Sequence, residues 1–277
     1  MSESSTVQDR SHGEYSLATG EAAVRRLSAL HRVCSPGGRR VLLQAGLKPG
    51  MTVADFGCGV GATTCMLAEL VGPSGHVTGL DLNASQLEQG RILCKAKGLT
   101  NADFVEGSAT ATGLPRNGFD LVYCRFLLLH LTDPAAGLCE MLAILKPGGM
   151  LVVEDGDLTS AGSVPDSSLS WFAKLFGCLG PTRGLNYALA SDLYHLVKAA
   201  GCAEPEIEIH QPAIVRGEDR FLLQWSVEEA APAFIGAGLV TSAEMETILA
   251  DMDRYTRNPD ILVLGPRMSL VWARKPA

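Results

Sequence analysis

No segment of the 277 residues approaches the ~18 consecutive apolar residues that a membrane-spanning helix needs, and residues 1–20 are polar, with no cleavable hydrophobic core. Basic tracts are missing too. No Lys/Arg run exceeds the pairs Arg25–Arg26, Arg39–Arg40 and Arg274–Lys275, and the formal net charge is −7, so nothing resembles a phosphate-binding stripe. Neither membrane nor nucleic acid is an expected partner. The eight cysteines (34, 58, 65, 94, 124, 139, 178 and 202) include no CxxC pair and no His/Cys cluster of metal-ligand spacing. They read as reduced core or loop thiols, as a cytoplasmic compartment would have them, with no metal site. The sequence also lacks an internal repeat and a low-complexity domain.

What is present is enough chain for a sizeable core. With 47% hydrophobic residues, the length suits one large α/β domain, or one domain with a lid. The organising stretch is VADFGCGVGATT, Val53 to Thr64. Val53, Ala54 and Phe56 read as a buried strand, and Gly57, Gly59 and Gly61 supply the backbone freedom for a tight strand-to-helix turn against which a ligand can lie. Two ligands fit that pattern. Gly57, Gly59 and Ala62 satisfy the dinucleotide fingerprint GxGxxG/A, with Asp81 ~20 residues further on, as a nicotinamide-dependent oxidoreductase would have it. Asp55 argues for the other: a carboxylate at the lip of the turn suits an ammonium or sulfonium better than a pyrophosphate, and S-adenosylmethionine carries both cations and a ribose diol.

Further along, His76 to Leu82 reads as a second strand, with Asp81 at the C-terminal end, where an open parallel sheet presents ligands. Asp81 is placed to accept ribose hydroxyls, while Asn83 with Gln86 reads as a capping pair for the next helix. Ala102 to Glu106 is the third strand and Phe119 to Cys124 the fourth. Pro134 to Leu145 is a helix that Lys146-Pro147-Gly148-Gly149 turns into a fifth strand, Met150 to Glu154. Glu154, Asp155 and Asp157 crowd that strand's end, so some must pair with arginine or face water. His130 is either a hydrogen-bonded structural histidine in an apolar helical stretch or a general base.

VADFGCGVG, GLDLN (Gly79 to Asn83) and LKPGGMLVVED (Leu145 to Asp155) resemble, in order and spacing, the successive motifs of class I SAM-dependent methyltransferases, over about Leu47 to Asp155. The stretch CRFLLLHLTDPAAGLCEMLAILKPGG is similar to the branch holding ubiquinone/menaquinone-type and many natural-product methyltransferases. The resemblance implies a Rossmann-like, seven-stranded, mostly parallel sheet with helices on both faces, its last strand reversed. It also implies S-adenosyl-L-methionine as cofactor and a small-molecule methyl acceptor. Cofactor neighbours on this resemblance are Asp55, Gly57, Cys58, Gly59, Gly61, Asp81 and Leu82. Ser108 and Ala109 stand at the adenine position, where the family usually has an acid. Arg125 stands near the methionine moiety, or else in a salt bridge to an acid such as Asp155. Tyr15 is the candidate aromatic that closes over the cofactor.

The domain expectation is a disordered stretch at 1–13, N-terminal lid helices at 14–46 and a methyltransferase domain at 47–277 with helical insertions at 158–190 and 218–257. Of the two lid helices, the first ends near Cys34, ahead of Ser35-Pro36-Gly37-Gly38, and the second spans Gly38 to Ala45. In the first insertion Ser167 to Leu179 is a strongly apolar helix, which either packs on its neighbours or also roofs an apolar pocket. Candidate acceptor contacts are His130, Asp155, Trp171, Phe172, Phe176 and Tyr187. Thr241 and Glu244 fit a capping box opening the last helix. A methyltransferase acting on a small, partly apolar metabolite as monomer or homodimer is the leading reading. A nicotinamide oxidoreductase, or a SAM-fold binding or regulatory protein without methyl transfer, stands beside it.

Overall fold

The computed structural model describes residues 21–202 and 204–276. The expected disorder at 1–13 and the candidate Tyr15 lie outside the described residues. In chain order the elements are α1 (Glu21–Gln44), β1 (Thr52–Phe56), α2 (Ala62–Val71), β2 (His76–Asp81), α3 (Ala84–Ala96), β3 (Ala102–Glu106), β4 (Phe119–Arg125), α4 (Pro134–Ile144) and β5 (Leu145–Asp157). There follow β6 (Gly162–Val164), α5 (Trp171–Thr182), α6 (Leu193–Ala199), β7 (Glu206–His210), β8 (Ala213–Ile214), α7 (Leu222–Gly236), α8 (Ser242–Arg257), β9 (Leu262–Leu264) and β10 (Arg267–Arg274).

Seven strands form one sheet in the order β3-β2-β1-β4-β5-β10-β7. The first five run parallel, and β10 is antiparallel to both β5 and β7. This is the Rossmann-like sheet with a reversed strand that the motifs imply. Strand alternation divides its two faces. Leu121, Tyr123, Val152 and Leu270 pack under the C-terminal half of α1 and α2, whereas Val122, Cys124, Val153 and Val271 face α4 and the later helices. The order reverses beside β1, so the crevice beyond the carboxyl ends of β1 and β4 is where such a sheet takes its ligand.

Three expectations need correction. The N-terminal region holds one helix, not two: α1 runs unbroken through Pro36. A proline costs an interior hydrogen bond, but Cys34, Val41 and Leu42 are fully buried on the sheet, and that burial holds the helix line. Gly37 and Gly38 serve close approach here: a Cβ at Gly38 would lie 2.6 Å from Glu154 Oε2 and one at Gly37 2.6 Å from His210 Cε1. Second, β5 begins at Leu145, because the Pro-Gly-Gly turn is absorbed as a bulge, Phe119 pairing Leu145 while Leu121 pairs Met150. Third, the insertions are not purely helical. β6, β9 and β8 make a small antiparallel sheet that ties 162–164 to 262–264, and the expected helix from Ser167 starts as a 3₁₀ turn before α5 proper at Trp171. Among the described residues no helix is long and apolar enough to cross a membrane.

Candidate functional site: the glycine turn and its helical roof

β1 delivers the chain into the turn with Gly57 at φ 66° and Gly61 at φ 76°, backbone that glycine alone adopts without strain. Both sites are also crowded. A Cβ on Gly57 would lie 2.9 Å from Leu127 Cδ1, and one on Gly61 2.7 Å from the Gly90 Cα. Cys58 turns inward, packed with Cys65, Leu87, Cys94 and Phe104, so only its main chain fronts the turn. Its N–H donates to Leu80 O at 3.0 Å, which fixes the turn to the end of β2.

Asp81 sits at that end, half-buried. Its Oδ2 accepts from Gly59 N and its Oδ1 from Asn83 N, each at 2.9 Å. Burial pushes its carboxyl up while these backbone donors pull the other way. Asn83 does cap α3, its Oδ1 accepting from Ser85 N and Gln86 N, so cap and strand-end acid are separate residues. Leu82 beside them is 61% exposed, an apolar surface at the crevice lip. Gly107 N donates to Asp81 O, bringing the β3 end alongside; there Ser108 Oγ lies 3.0 Å from Thr110 Oγ1 and Ala109 is buried.

Asp55 differs from its sequence reading. It is buried below the turn rather than standing at its lip, and its Oδ2 accepts from Thr64 Oγ1 at 2.7 Å. Burial raises its pKa to about 7, with the Thr64 bond and the Arg125 charge opposing. The acid therefore anchors the first turn of α2 to β1.

On the other side of the turn, Arg125 Nη2 donates to Thr63 Oγ1 at 2.8 Å and lies 3.1 Å from His31 Nδ1, while Nη1 reaches Ser35 Oγ at 3.3 Å. Burial opposes the guanidinium's charge, but Tyr123, Glu154, Cys34 and Asp55 together raise its pKa. Burial, and then Arg125, lowers His31 to about 4, so His31 is neutral and can accept the arginine N–H. Asp155 is not the partner of Arg125. It accepts from Leu129 N at 3.2 Å and Gly156 N at 3.1 Å, thereby holding the 3₁₀ turn Leu128–His130 against β5. Its two neighbours are also engaged, Glu154 by the Tyr123 hydroxyl and Asp157 by Arg267 at 2.8 Å. Phe126, next to Arg125, takes φ 52°, an uncommon value for an aromatic residue.

Beside the turn, α7 packs on both α1 and α5. Leu27 of α1 comes within 3.7 Å of where a Gly59 Cβ would be. Phe176 of α5 packs at 4.8 Å from Phe172, 5.5 Å from Tyr187 and 5.2 Å from Phe234 of α7, ring centre to ring centre. His130 meets Tyr187 edge-on at 5.8 Å. Burial first, then the Arg26 charge, lowers His130 to about 3, so it stays neutral and is a poor base near neutral pH. Trp171 stands apart, half-exposed with Lys174 over its ring. The structure thus gathers His130, Phe172, Phe176 and Tyr187 together, keeps Asp155 beneath them as an anchor, and leaves Trp171 at the edge.

Sequence reasoning missed His31, Thr63, Arg26 and Glu229. Thr63 lies in the glycine motif and could have been found there. Arg26 and Glu229 are 203 positions apart, and no pattern in the chain links them.

Comparison with known proteins adds to this geometry. A family model described as "Methyltransferase domain" matches residues 47–201. The ubiquinone/menaquinone biosynthesis C-methyltransferase UbiE of Shewanella halifaxensis is 39% identical over 116 residues, 42% of this chain and 46% of that protein. The chain thus spans about half the length of the curated relatives it matches. A SAM-dependent methyltransferase structure from Aquifex aeolicus superposes with TM-score 0.54 at 18% identity, covering 93% of this chain and 99% of that one. The cyclase SpnF superposes with TM-score 0.53 at 22% identity, covering 97% and 86%. At these identities the two structures speak for the fold.

Proposed function

The chain belongs to the methyltransferase-domain family, and from that premise we propose that it transfers a methyl group from S-adenosyl-L-methionine to a small, partly apolar metabolite in the cytoplasm. The observation that carries the reading is the pair of polar sites flanking the glycine turn, Asp81 on one side and Arg125 with Thr63 and His31 on the other. Asp81, held by two N–H donors, keeps lone pairs for a vicinal diol. Arg125 supplies a fixed cation suited to a carboxylate. Gly57, Gly59 and Gly61 form a floor without side chains, with Leu82, Ser108 and Ala109 along its adenine side. These residues suit an adenosyl amino acid. They suit a pyrophosphate poorly, because the Gly59 N–H that would bind it already donates to the Asp81 carboxylate.

When bound, S-adenosylmethionine supplies an already activated methyl on a sulfonium. The protein's share is then placement: α1, α5 and α7 exclude water, and the Asp155-held turn sets His130 at the crevice mouth. Orientation of this kind contributes ~7–11 kcal/mol, against the 10²–10⁴-fold of a general base, so a neutral His130 is no obstacle. We assign residues 21–46 and the stretches 158–190 and 218–257 to the roof, and 47–157 to the cofactor half.

Titration calorimetry tests the reading. Micromolar binding of S-adenosylhomocysteine with none of NAD is expected, followed by methyl-labelled product from a library of hydroxylated and quinol acceptors. NAD binding in place of the adenosyl amino acid overturns it.

A further inference from the structure

Arg26 and Glu229 close only half of a fork. Arg26 Nε donates to Glu229 Oε2 at 2.8 Å, with the two side chains 4% and 6% exposed. The guanidinium's neighbouring nitrogen Nη2 and the other carboxylate oxygen Oε1 are both sealed from solvent and have no hydrogen-bond partner among the described residues. A side-on arginine–carboxylate pair ordinarily makes two parallel bonds. Here the second is unmade, which leaves a buried donor and a buried acceptor on one ion pair, an arrangement native interiors rarely tolerate.

The location gives the open arm a use. Arg26 precedes Leu27, which lies over the glycine turn, and its charge is felt by His130, the residue packed against Tyr187. Glu229 comes down from α7, one turn beyond Trp225 and one before Phe234. The half-open fork therefore sits where α1 meets α7, the helix that also carries Phe234 of the aromatic cluster around Phe176.

Resting on the methyltransferase reading, we infer that the unpaired Arg26 Nη2 and Glu229 Oε1 recognise a neutral hydroxyl group of the acceptor, donating to its oxygen and accepting its proton. The alternatives satisfy the fork less well. A carboxylate repels Glu229, an ammonium repels Arg26, and an ether or ketone oxygen serves Nη2 but leaves Oε1 unpaired. A hydroxyl serves both, and the aromatic cluster of Phe172, Phe176, Tyr187 and Phe234 suits a ring or polyene skeleton.

The test uses the full chain saturated with S-adenosylhomocysteine and three probes: β-naphthol, its methyl ether and β-naphthoate. Calorimetry should show the naphthol bound at least about tenfold more tightly than the other two, since a site built to bond a hydroxyl rejects analogues lacking it. Replacing one partner strands the other's charge and threatens the fold, so the decisive variant is the double replacement Arg26→Met with Glu229→Met, which keeps volume and removes both charges. It should bind naphthol and ether within about twofold of each other while holding S-adenosylhomocysteine as the parent does. Equal binding of naphthol and ether by the parent, a preference that survives in the double variant, or no binding of any probe overturns the inference and leaves the methyltransferase reading standing. Failure to bind S-adenosylhomocysteine removes that reading and this one together.

Discussion

The part assigned to the cofactor and the part assigned to the roof pair their polar groups on different plans. Around the glycine turn, most polar groups find partners close along the chain or on the next strand, Asp55 with Thr64, Asp81 with Asn83 and Gly59, Asn83 with Ser85 and Gln86, and Arg125, bonded to Thr63, His31 and Ser35, is the exception. In the roof, partners are remote. Arg26 meets Glu229, and Arg32 meets Asp219, while the buried Arg220 donates to the carbonyls of Thr256, Asn258 and Ile261.

If that contrast holds, damage to the two halves should read out differently. The largest effect belongs to the roof. Phe176 is 2% exposed and touches three aromatic rings, so Phe176→Ala should cost ~3–5 kcal/mol of stability in urea unfolding, with S-adenosylhomocysteine affinity little changed at temperatures where the variant stays folded. Next is Asp81→Ala, which should do the reverse. Losing a charge-assisted acceptor should weaken S-adenosylhomocysteine binding by ~1.5–3 kcal/mol in calorimetry, with a smaller loss of stability because the half-buried Gly59 and Asn83 N–H groups can turn to water. A stability loss from Asp81→Ala as large as that from Phe176→Ala would erase the distinction.

How far the chain announced this arrangement follows from the same contrast. The strands, the glycine turn, the Asn83 cap and the strand-end position of Asp81 were legible because hydrophobic period and turn chemistry act over a few residues. The single helix through Pro36 was not, because local breakers there yield to burial of Cys34, Val41 and Leu42 against strands far along the chain. The sealing of Asp55 was missed for a related reason: its position near a strand end was visible, but its burial and the approach of the Thr64 hydroxyl were not. Nor did any periodicity show that β6 and β9 would pair.

Asp155 stands where the two parts meet, since it fastens to a core strand the turn whose His130 packs against Tyr187. Burial pushes its carboxyl up to about 8, against the bonds from Gly156 and Leu129. In the unfolded chain it would ionise near ~4. Between those values the unfolded state releases a proton that the folded state keeps, so this residue's contribution to stability is greatest at low pH, falls as pH rises and levels off above about 8. His31 and His130, depressed to about 4 and 3, act in the opposite sense, losing stability as pH falls below their unfolded value of ~6.5. The difference between Asp155→Asn and the parent isolates the acid. Unfolding free energies at a series of pH values should shift in the variant's favour by on the order of 1 kcal/mol per pH unit between about pH 5 and 8. A difference flat with pH would mean that Asp155 is ionised in the fold.

The smallest effect concerns a place where the roof behaves like the cofactor half. α8 opens on Thr241, whose Oγ1 accepts from Glu244 N at 3.2 Å while Glu244 Oε2 accepts from Thr241 N at 2.7 Å, a reciprocal box closed within four residues and readable in the sequence. The other end of the same helix is held by Arg220, a partner no local pattern names. Thr241→Ala removes one acceptor from an exposed helix start, where water replaces it in part, and should cost ~1 kcal/mol in urea unfolding. Methyl transfer and S-adenosylhomocysteine affinity should stay at the parent's level, because the box touches neither the glycine turn nor the aromatic cluster. If Thr241→Ala instead lowers turnover at full stability, α8 takes part in closing the roof, and the division between a locally fixed crevice and a remotely braced cover has to be redrawn with that helix end on the functional side.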